Sequence, residues 1–205
     1  MDNSFYIKSH CRIKNSKISL NTVEVFERET KDFIEFIKAA YKSLDTKYPK
    51  FFKMDRLSKL AFIAADVLLK NENLNPEIEQ DIAVVLSNKA SSLDTDRKHQ
   101  KAIQDKENYY PSPAVFVYTL PNICIGEISI KYKLYSENSF FIFDSLNAEH
   151  LSIYSNSLLE TNKAKEVLCG WVELDGDNYD AFLYLVSTKG KIEHTKQNID
   201  KLYKL

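Results

Sequence analysis

The sequence predicts a layered α/β domain in which helices flank a mostly parallel central sheet. Short apolar runs of strand length, at residues 81–86 and 140–143, alternate with segments of helical periodicity. The strongest helical segment, residues 56–70, carries a continuous apolar stripe behind a capping residue, Asp55. A chain of 205 residues with 44% hydrophobic content can bury a core of its own. We therefore predict one domain that spans residues 1–205.

The first half of the chain predicts strands and helices in alternation. Strand patterns, rich in β-branched and aromatic residues, cover residues 5–13 and 81–86. Helical patterns cover residues 29–43, 56–70 and the polar segment 92–107. Residues 16–28 fit neither pattern clearly, so their structure stays open.

The second half is organised around a stretch that begins with an apolar run, residues 114–125, and ends on the strand 140–143. An amphipathic segment and a polar hinge separate the two. The later segments are a helix over residues 146–161, strands over 166–174 and 181–186, and a basic helix over 190–205. Turn-forming residues 175–178 join the two strands.

Charge and composition exclude several classes of protein. The net charge of -1 gives no overall field that would attract nucleic acid or a membrane surface. No apolar stretch approaches the length of a membrane span, and the first residues do not form a signal peptide. Three widely spaced cysteines, Cys11, Cys124 and Cys169, indicate reduced thiols in a cytoplasm.

Metal and cofactor chemistry is not expected. The four histidines have no metal-ligand spacing, and the chain contains no Cys-x-x-Cys pair. Four glycines in the whole chain are too few and too scattered for a phosphate-binding loop. Asp94 and Asp96 stand at the start of a helical pattern, where acidic residues cap helices. We therefore predict no metal and no cofactor.

Ser145 lies where a short apolar strand gives way to a helical pattern, an arrangement in which many α/β enzymes present a nucleophile. A serine nucleophile needs a general base. The nearest histidine in the sequence, His150, lies five residues on and about 140° around a helix, and Asp144 adds negative charge beside the site. Because a histidine from elsewhere could still supply the base, a serine-dependent acyl hydrolase or transferase stays open.

Two spacings around Ser145 carry a resemblance to a known family. Asn122 is followed four residues later by Gly126 and then by the amphipathic segment that leads to Ser145. The motif Gly170-Trp171-Val172-Glu173 begins 25 residues after Ser145. In these features the chain resembles the N-terminal half of the β-ketoacyl-ACP synthases of the thiolase-like superfamily, in which such an Asn and Gly precede the catalytic cysteine and a Gly-Gly-x-Glu turn follows it. Residues 49–69 also resemble a helix of that family.

The resemblance implies a layered thiolase-like half-fold, with Ser145 at the position of the family's catalytic cysteine. The family's active histidines and lysine lie in a second half that has no counterpart in these 205 residues. The chain resembles chain-length factors, synthase-like subunits without the cysteine, and especially the short ones of aryl-polyene and flexirubin-type pathways. The implied function is a non-catalytic subunit that forms a heterodimer with a full-length β-ketoacyl synthase and shapes its acyl tunnel in fatty acid or polyketide biosynthesis. A homodimeric module that binds acyl chains or acyl carrier protein is the alternative.

The resemblance also assigns residues to two surfaces. The tunnel and dimer-interface residues that it implies are Val115, Phe116, Tyr118, Asn122, Ile123, Gly126, Phe140, Phe141, Ile142 and Phe143. Such synthases hold basic residues for acidic acyl carrier protein, and the matching residues here are Lys47, Lys50, Lys53, Arg56 and Lys59. The strand 140–143 is expected to pair with its counterpart across the dimer, and no catalytic residue is expected.

Overall fold

One sheet organises the chain, which the computed structural model describes over residues 4–75, 77–107 and 109–205. Its strands are β1 (Tyr6–Lys14), β2 (Lys17–Leu20), β3 (Val23–Glu27), β4 (Ile82–Asn88), β5 (Asn138–Ile142), β6 (Glu166–Asp175), β7 (Asn178–Ser187) and β8 (Ile192–Glu193). Within the described ranges the strand order is β3-β2-β1-β7-β6-β4-β5, and β8 also pairs with β1. Strands β3 and β5 therefore stand at opposite edges of the sheet.

The expectation of a mostly parallel sheet is wrong, because most strand pairs are antiparallel. Among the named strands of the described residues, the parallel pairs are those of β4, with β5 on one side and β6 on the other. Three connections are two-residue hairpins, at residues 15–16, 21–22 and 176–177. Positive φ angles at the first two and at Gly176 match the backbone twist of such turns. A two-residue connection can only join antiparallel strands. The segment 16–28, whose structure the sequence left open, contains β2, β3 and the hairpin turn between them.

Seven α-helices and one 3-10 helix lie in the described residues. They are α1 (Phe33–Ser43), the 3-10 helix Pro49–Lys53, α2 (Arg56–Asn71), α3 (Leu93–Ile103), α4 (Pro113–Val117), α5 (Ile123–Tyr132), α6 (Ala148–Glu160) and α7 (Lys196–Lys204). Asp55 caps α2 as predicted, because its side chain accepts a hydrogen bond of 2.9 Å from the Ser58 backbone N–H. The predicted C-terminal helix is shorter than residues 190–205, since Ile192 and Glu193 extend the sheet.

The helices cover both faces of the sheet, and the side chains of β4 contribute to the core on each face. Its alternate residues Ile82, Val84 and Leu86 face a core built with α1, α2 and α5. Ala83 and Val85 face a second core built with α6 and α7. A strand that is buried on both faces reads as a continuous apolar run, which is why its position was predictable.

Gly170 lies inside β6, so the motif Gly170–Glu173 is a strand segment and not the turn that the resemblance implied. The glycine has a φ of +154°, and a Cβ built on it would lie 2.0 Å from the Phe182 carbonyl oxygen. This position of β6 needs glycine because the backbone of the paired strand β7 lies too close to leave room for a side chain.

The three cysteines are free and fully buried, in agreement with the reduced thiols that their spacing predicts. Burial raises the pKa of each thiol, and that of Cys169 reaches about 11. No helix in the described ranges is long and apolar enough to cross a lipid bilayer.

Candidate interaction site at the open edge of the sheet

Strand β5 has a hydrogen-bonded neighbour on one side only within the described residues. On that side, the Phe143 N–H donates to the Asn88 carbonyl at 2.9 Å and the Val84 N–H donates to the Glu137 carbonyl at 3.0 Å. Odd-numbered residues of the strand therefore turn their backbone groups towards β4. Backbone groups alternate in direction along a strand, so Phe140 and Ile142 present theirs to the open side.

The side chains of β5 alternate between the two faces. Phe141 and Phe143 turn towards α6, where the ring of His150 lies 4.6 Å and 5.1 Å from theirs. Tyr154 completes this aromatic cluster, 5.2 Å from Phe141. The cluster holds the strand against α6 and leaves its outer backbone free.

Large apolar side chains are exposed on β5 and on the helices that precede and follow it in the chain. Ile142 on β5 is 51% exposed. Ile130 on the preceding helix α5 is 62% exposed, and Ile153 on the following helix α6 is 65% exposed. An unpaired strand edge with apolar residues beside it favours association with another chain.

Ser145 is exposed in the loop between β5 and α6. It lies at a surface depression of about 590 Å³ whose other lining residues include Lys89, Asp144, Lys196 and Asp200. No histidine lines this depression, and the Ser145 side chain has no hydrogen-bond partner among the described residues. The start of α6 is already capped, since the Asn147 side chain accepts a hydrogen bond from the His150 N–H at 2.9 Å. The described hydrogen bonds therefore do not connect Ser145 to a base.

The predicted tunnel residues before Gly126 do not share one surface. Tyr118 is buried, and its hydroxyl donates to Glu127 at 2.8 Å. Phe116 is 60% exposed, while Val115 and Ile123 are half-buried. Because α4 ends at Val117 and α5 begins only at Ile123, the apolar run is two helices with different faces inward.

Asn122 and Gly126, the two anchors of the sequence resemblance, are structural residues of α5. Asn122 is exposed at the N-cap position, and Gly126 lies within the helix with open space where a side chain would be. Neither contacts Ser145 through a hydrogen bond in the described residues. The helix begins at Ile123, before Gly126, and not after Gly126 as the sequence predicted, and the contribution of Asn122 to a site stays a prediction.

Glu127 is a buried polar residue that the sequence interpretation missed. It is 3% exposed, and its Oε1 lies 3.0 Å from the Lys50 ammonium and accepts the Tyr118 hydrogen bond. Its Oε2 is buried without a partner in the described residues. The signal in the sequence is one acidic residue inside the apolar run ICIGEISI.

The basic residues predicted to bind acyl carrier protein do not form one exposed patch. Lys47 and Lys53 are exposed, but Lys50 is bound to Glu127. Arg56 pairs with two carboxylates, those of Asp94 at 3.7 Å and Asp177 at 2.5 Å. Lys59 is only 5% exposed and donates to the Met54 carbonyl, so its assignment to the protein surface is wrong.

A metal site is not apparent either. No group of three or more His, Cys, Asp or Glu side chains in the described ranges is placed to hold a metal ion.

Comparison with known proteins identifies the fold. No protein-family model matches the chain, and no curated protein sequence matches it. Solved structures do match, with 17% identity and a TM-score of 0.63 for the ishigamide ketosynthase/chain length factor, over 90% of this chain and 62% of that one. A ketosynthase (ApeO) in complex with its chain length factor (ApeC) from Xenorhabdus doucetiae gives 14% identity and a TM-score of 0.60, over 98% of this chain and 90% of the matched one.

A third match is the complex AntDE:AntF, a type II polyketide synthase acyl-carrier protein with its ketosynthase, at 12% identity and a TM-score of 0.61. This chain spans 62% and 63% of the matched ishigamide and AntDE:AntF chains, and 90% of the one from Xenorhabdus doucetiae. The predicted resemblance is confirmed at the level of the fold, which is that of ketosynthases and chain-length factors.

Proposed function

We propose that the chain is a non-catalytic, chain-length-factor-like subunit that pairs with a full-length β-ketoacyl synthase and shapes its acyl tunnel. The observation that carries this proposal is the open edge of β5, with the outward backbone groups of Phe140 and Ile142 and the exposed side chain of Ile142. The fold supports the choice of partner, because matched structures are described as ketosynthases in complex with a chain length factor. Fatty acid or aryl-polyene-type polyketide biosynthesis is the proposed setting, with chains carried on acyl carrier protein.

The lack of catalysis follows from the surroundings of Ser145. A hydroxyl at neutral pH is a weak nucleophile until a neighbouring base accepts its proton. The groups lining its depression are lysines, carboxylates and an amide, and the nearest histidine in sequence packs against Phe141 and Phe143 instead. The lack of a described hydrogen bond between Ser145 and a base supports the proposal that the serine is not activated.

Co-expression with each β-ketoacyl synthase encoded in the same genome tests the proposal. We expect a 1:1 complex with one of them, and condensation of malonyl groups on acyl carrier protein by the complex but not by the purified chain. A self-associating chain that ignores every synthase would favour the homodimeric module. Turnover or fluorophosphonate labelling of the purified chain, lost in Ser145→Ala, would overturn the non-catalytic assignment.

Phe116 is the best-placed candidate for a residue that limits product length in the partner's tunnel. Because it is 60% exposed, Phe116→Ala is expected to change the free energy of unfolding by less than about 1 kcal/mol. If the side chain closes the tunnel, the complex carrying Phe116→Ala should release longer acyl chains, measured by mass spectrometry of the products.

Leu120→Ala is the matched control, because Leu120 follows α4 closely in the chain and is 56% exposed. Equal product lengths for the wild-type, Phe116→Ala and Leu120→Ala complexes would remove Phe116 from the tunnel.

A further inference from the structure

A second feature, away from the β5 edge, is a cavity of about 630 Å³ where α1, the 3-10 helix, α2, α3 and α4 meet. Its volume is within the range of about 300–1,000 Å³ that is usual for small-molecule sites. The apolar part of its lining consists of Ile34, Phe52, Met54, Ala114, Val115 and the ring of Tyr118. An aliphatic chain could therefore lie in it with its surface removed from water.

Lys59 gives this cavity a polar end. The residue is 5% exposed, and its ammonium donates to the Met54 carbonyl, leaving two of its three N–H donors without a partner in the described residues. No carboxylate of those residues lies within ion-pair distance of it. Buried charges in proteins are normally paired, because an isolated charge loses its hydration without compensation.

The charges around Lys59 leave the cavity cationic. Burial is the main cause that lowers the pKa of Lys59 to about 8; Asp55 opposes this shift, while the nearby cations Lys38 on α1 and Lys98 on α3 add to it. Asp55 itself is largely engaged, by the Ser58 N–H at 2.9 Å and the Thr95 hydroxyl at 2.9 Å.

The remaining charged groups of the lining do not neutralise the positive charge around Lys59. The exposed Lys53 adds positive charge at the rim, while Arg56 and Asp94 face each other at 3.7 Å. An anion bound at Lys59 would therefore meet a net positive lining.

We propose that this cavity binds a single-chain aliphatic carboxylate, with the carboxylate on the Lys59 ammonium and the chain against the apolar walls. Charge complementarity selects the head group, since a carboxylate supplies the counter-charge that Lys59 lacks and accepts its two free hydrogen bonds. The apolar lining selects an aliphatic tail over a short anion. The site belongs to this chain alone and does not depend on pairing with a synthase.

Titration of the purified chain with decanoate, followed by calorimetry, tests the proposal. We expect saturable binding at one site, with decanol, which has the same tail without the charge, binding about tenfold more weakly or worse. Because the ammonium form is needed, affinity for decanoate should fall as the pH rises from about 7 to above about 8.5, and that for decanol should not.

Lys59→Met keeps the shape of the side chain and removes the charge, so it should fold, lose at least about tenfold in decanoate affinity and lose the pH dependence. Lys42→Met, at an exposed position of α1 outside the cavity lining, is the matched control and should change affinity little. Ala114→Trp fills the cavity from an exposed position and should abolish binding without touching any charge. Equal affinity for decanoate and decanol, unchanged affinity in Lys59→Met, or unchanged affinity in Ala114→Trp would each overturn the proposal.

Discussion

Gly170→Ala is expected to lower the free energy of unfolding by about 3–5 kcal/mol, a large share of the total for a domain of this size. The added Cβ would lie 2.0 Å from the Phe182 carbonyl oxygen and 3.0 Å from the Leu183 Cα, both backbone atoms of the neighbouring strand β7. Neither atom can move without separating β6 from β7 at the centre of the sheet. The φ of +154° adds strain for any residue with a side chain.

Gly126→Ala is the matched control, because this glycine lies inside α5 and no atom comes within 4 Å of the position of its added Cβ. Alanine is the better helix former, so we expect a gain of about 0.5–1 kcal/mol. Chemical denaturation of both variants measures the two effects. Similar small changes for both would show that β6 and β7 are further apart at Gly170 than described.

The helices and the buried strands could be predicted because their patterns are local. The Asp55 cap and the apolar stripe of α2 are visible in consecutive residues, and 13 of the 16 residues of α2 are buried. Likewise β4 reads as an apolar run because both of its faces are covered.

The direction of the strands was the harder problem, because it depends on how segments far apart in the chain pair with each other. One signal for antiparallel pairing is present in the sequence, because residues 175–178 predict a turn between two strands. A turn that short makes the two strands antiparallel. The resemblance implied an edge position for the strand at 140–143, but the order of the other strands came only from the structure.

Buried polar residues were the least predictable part of the site. Lys59 looks like an ordinary surface residue in the sequence, and the position of Glu127 inside an apolar run is a weak signal, yet they are 5% and 3% exposed. Their burial depends on the 3-10 helix and α4 closing over them, and no periodic pattern encodes that contact. Lys59 was therefore grouped with Lys47, Lys50 and Lys53, which are exposed, although Lys59 itself is buried.

The proposed association of β5 with a synthase can be tested by a substitution that removes one backbone N–H group of the strand. Proline has no N–H, so it breaks strand pairing only where that N–H is used. The Ile142 N–H points away from β4 and is free in the described chain, whereas the Phe143 N–H is bound to Asn88 at 2.9 Å. Removing the Ile142 N–H should leave the fold of the isolated chain almost unchanged.

Ile142→Pro is therefore expected to weaken the complex with the synthase by at least about tenfold while the isolated chain melts within a few degrees of the wild type. Ile142→Lys should weaken it as well, because a charge at an open edge opposes strand pairing. The matched control is Val23→Lys, at a 65% exposed position on β3 at the opposite edge of the sheet, which should have no effect on the complex. The affinity of each variant for the synthase is measured by sedimentation. A folded Ile142→Pro variant that binds the synthase as tightly as Val23→Lys would show that the synthase binds another surface.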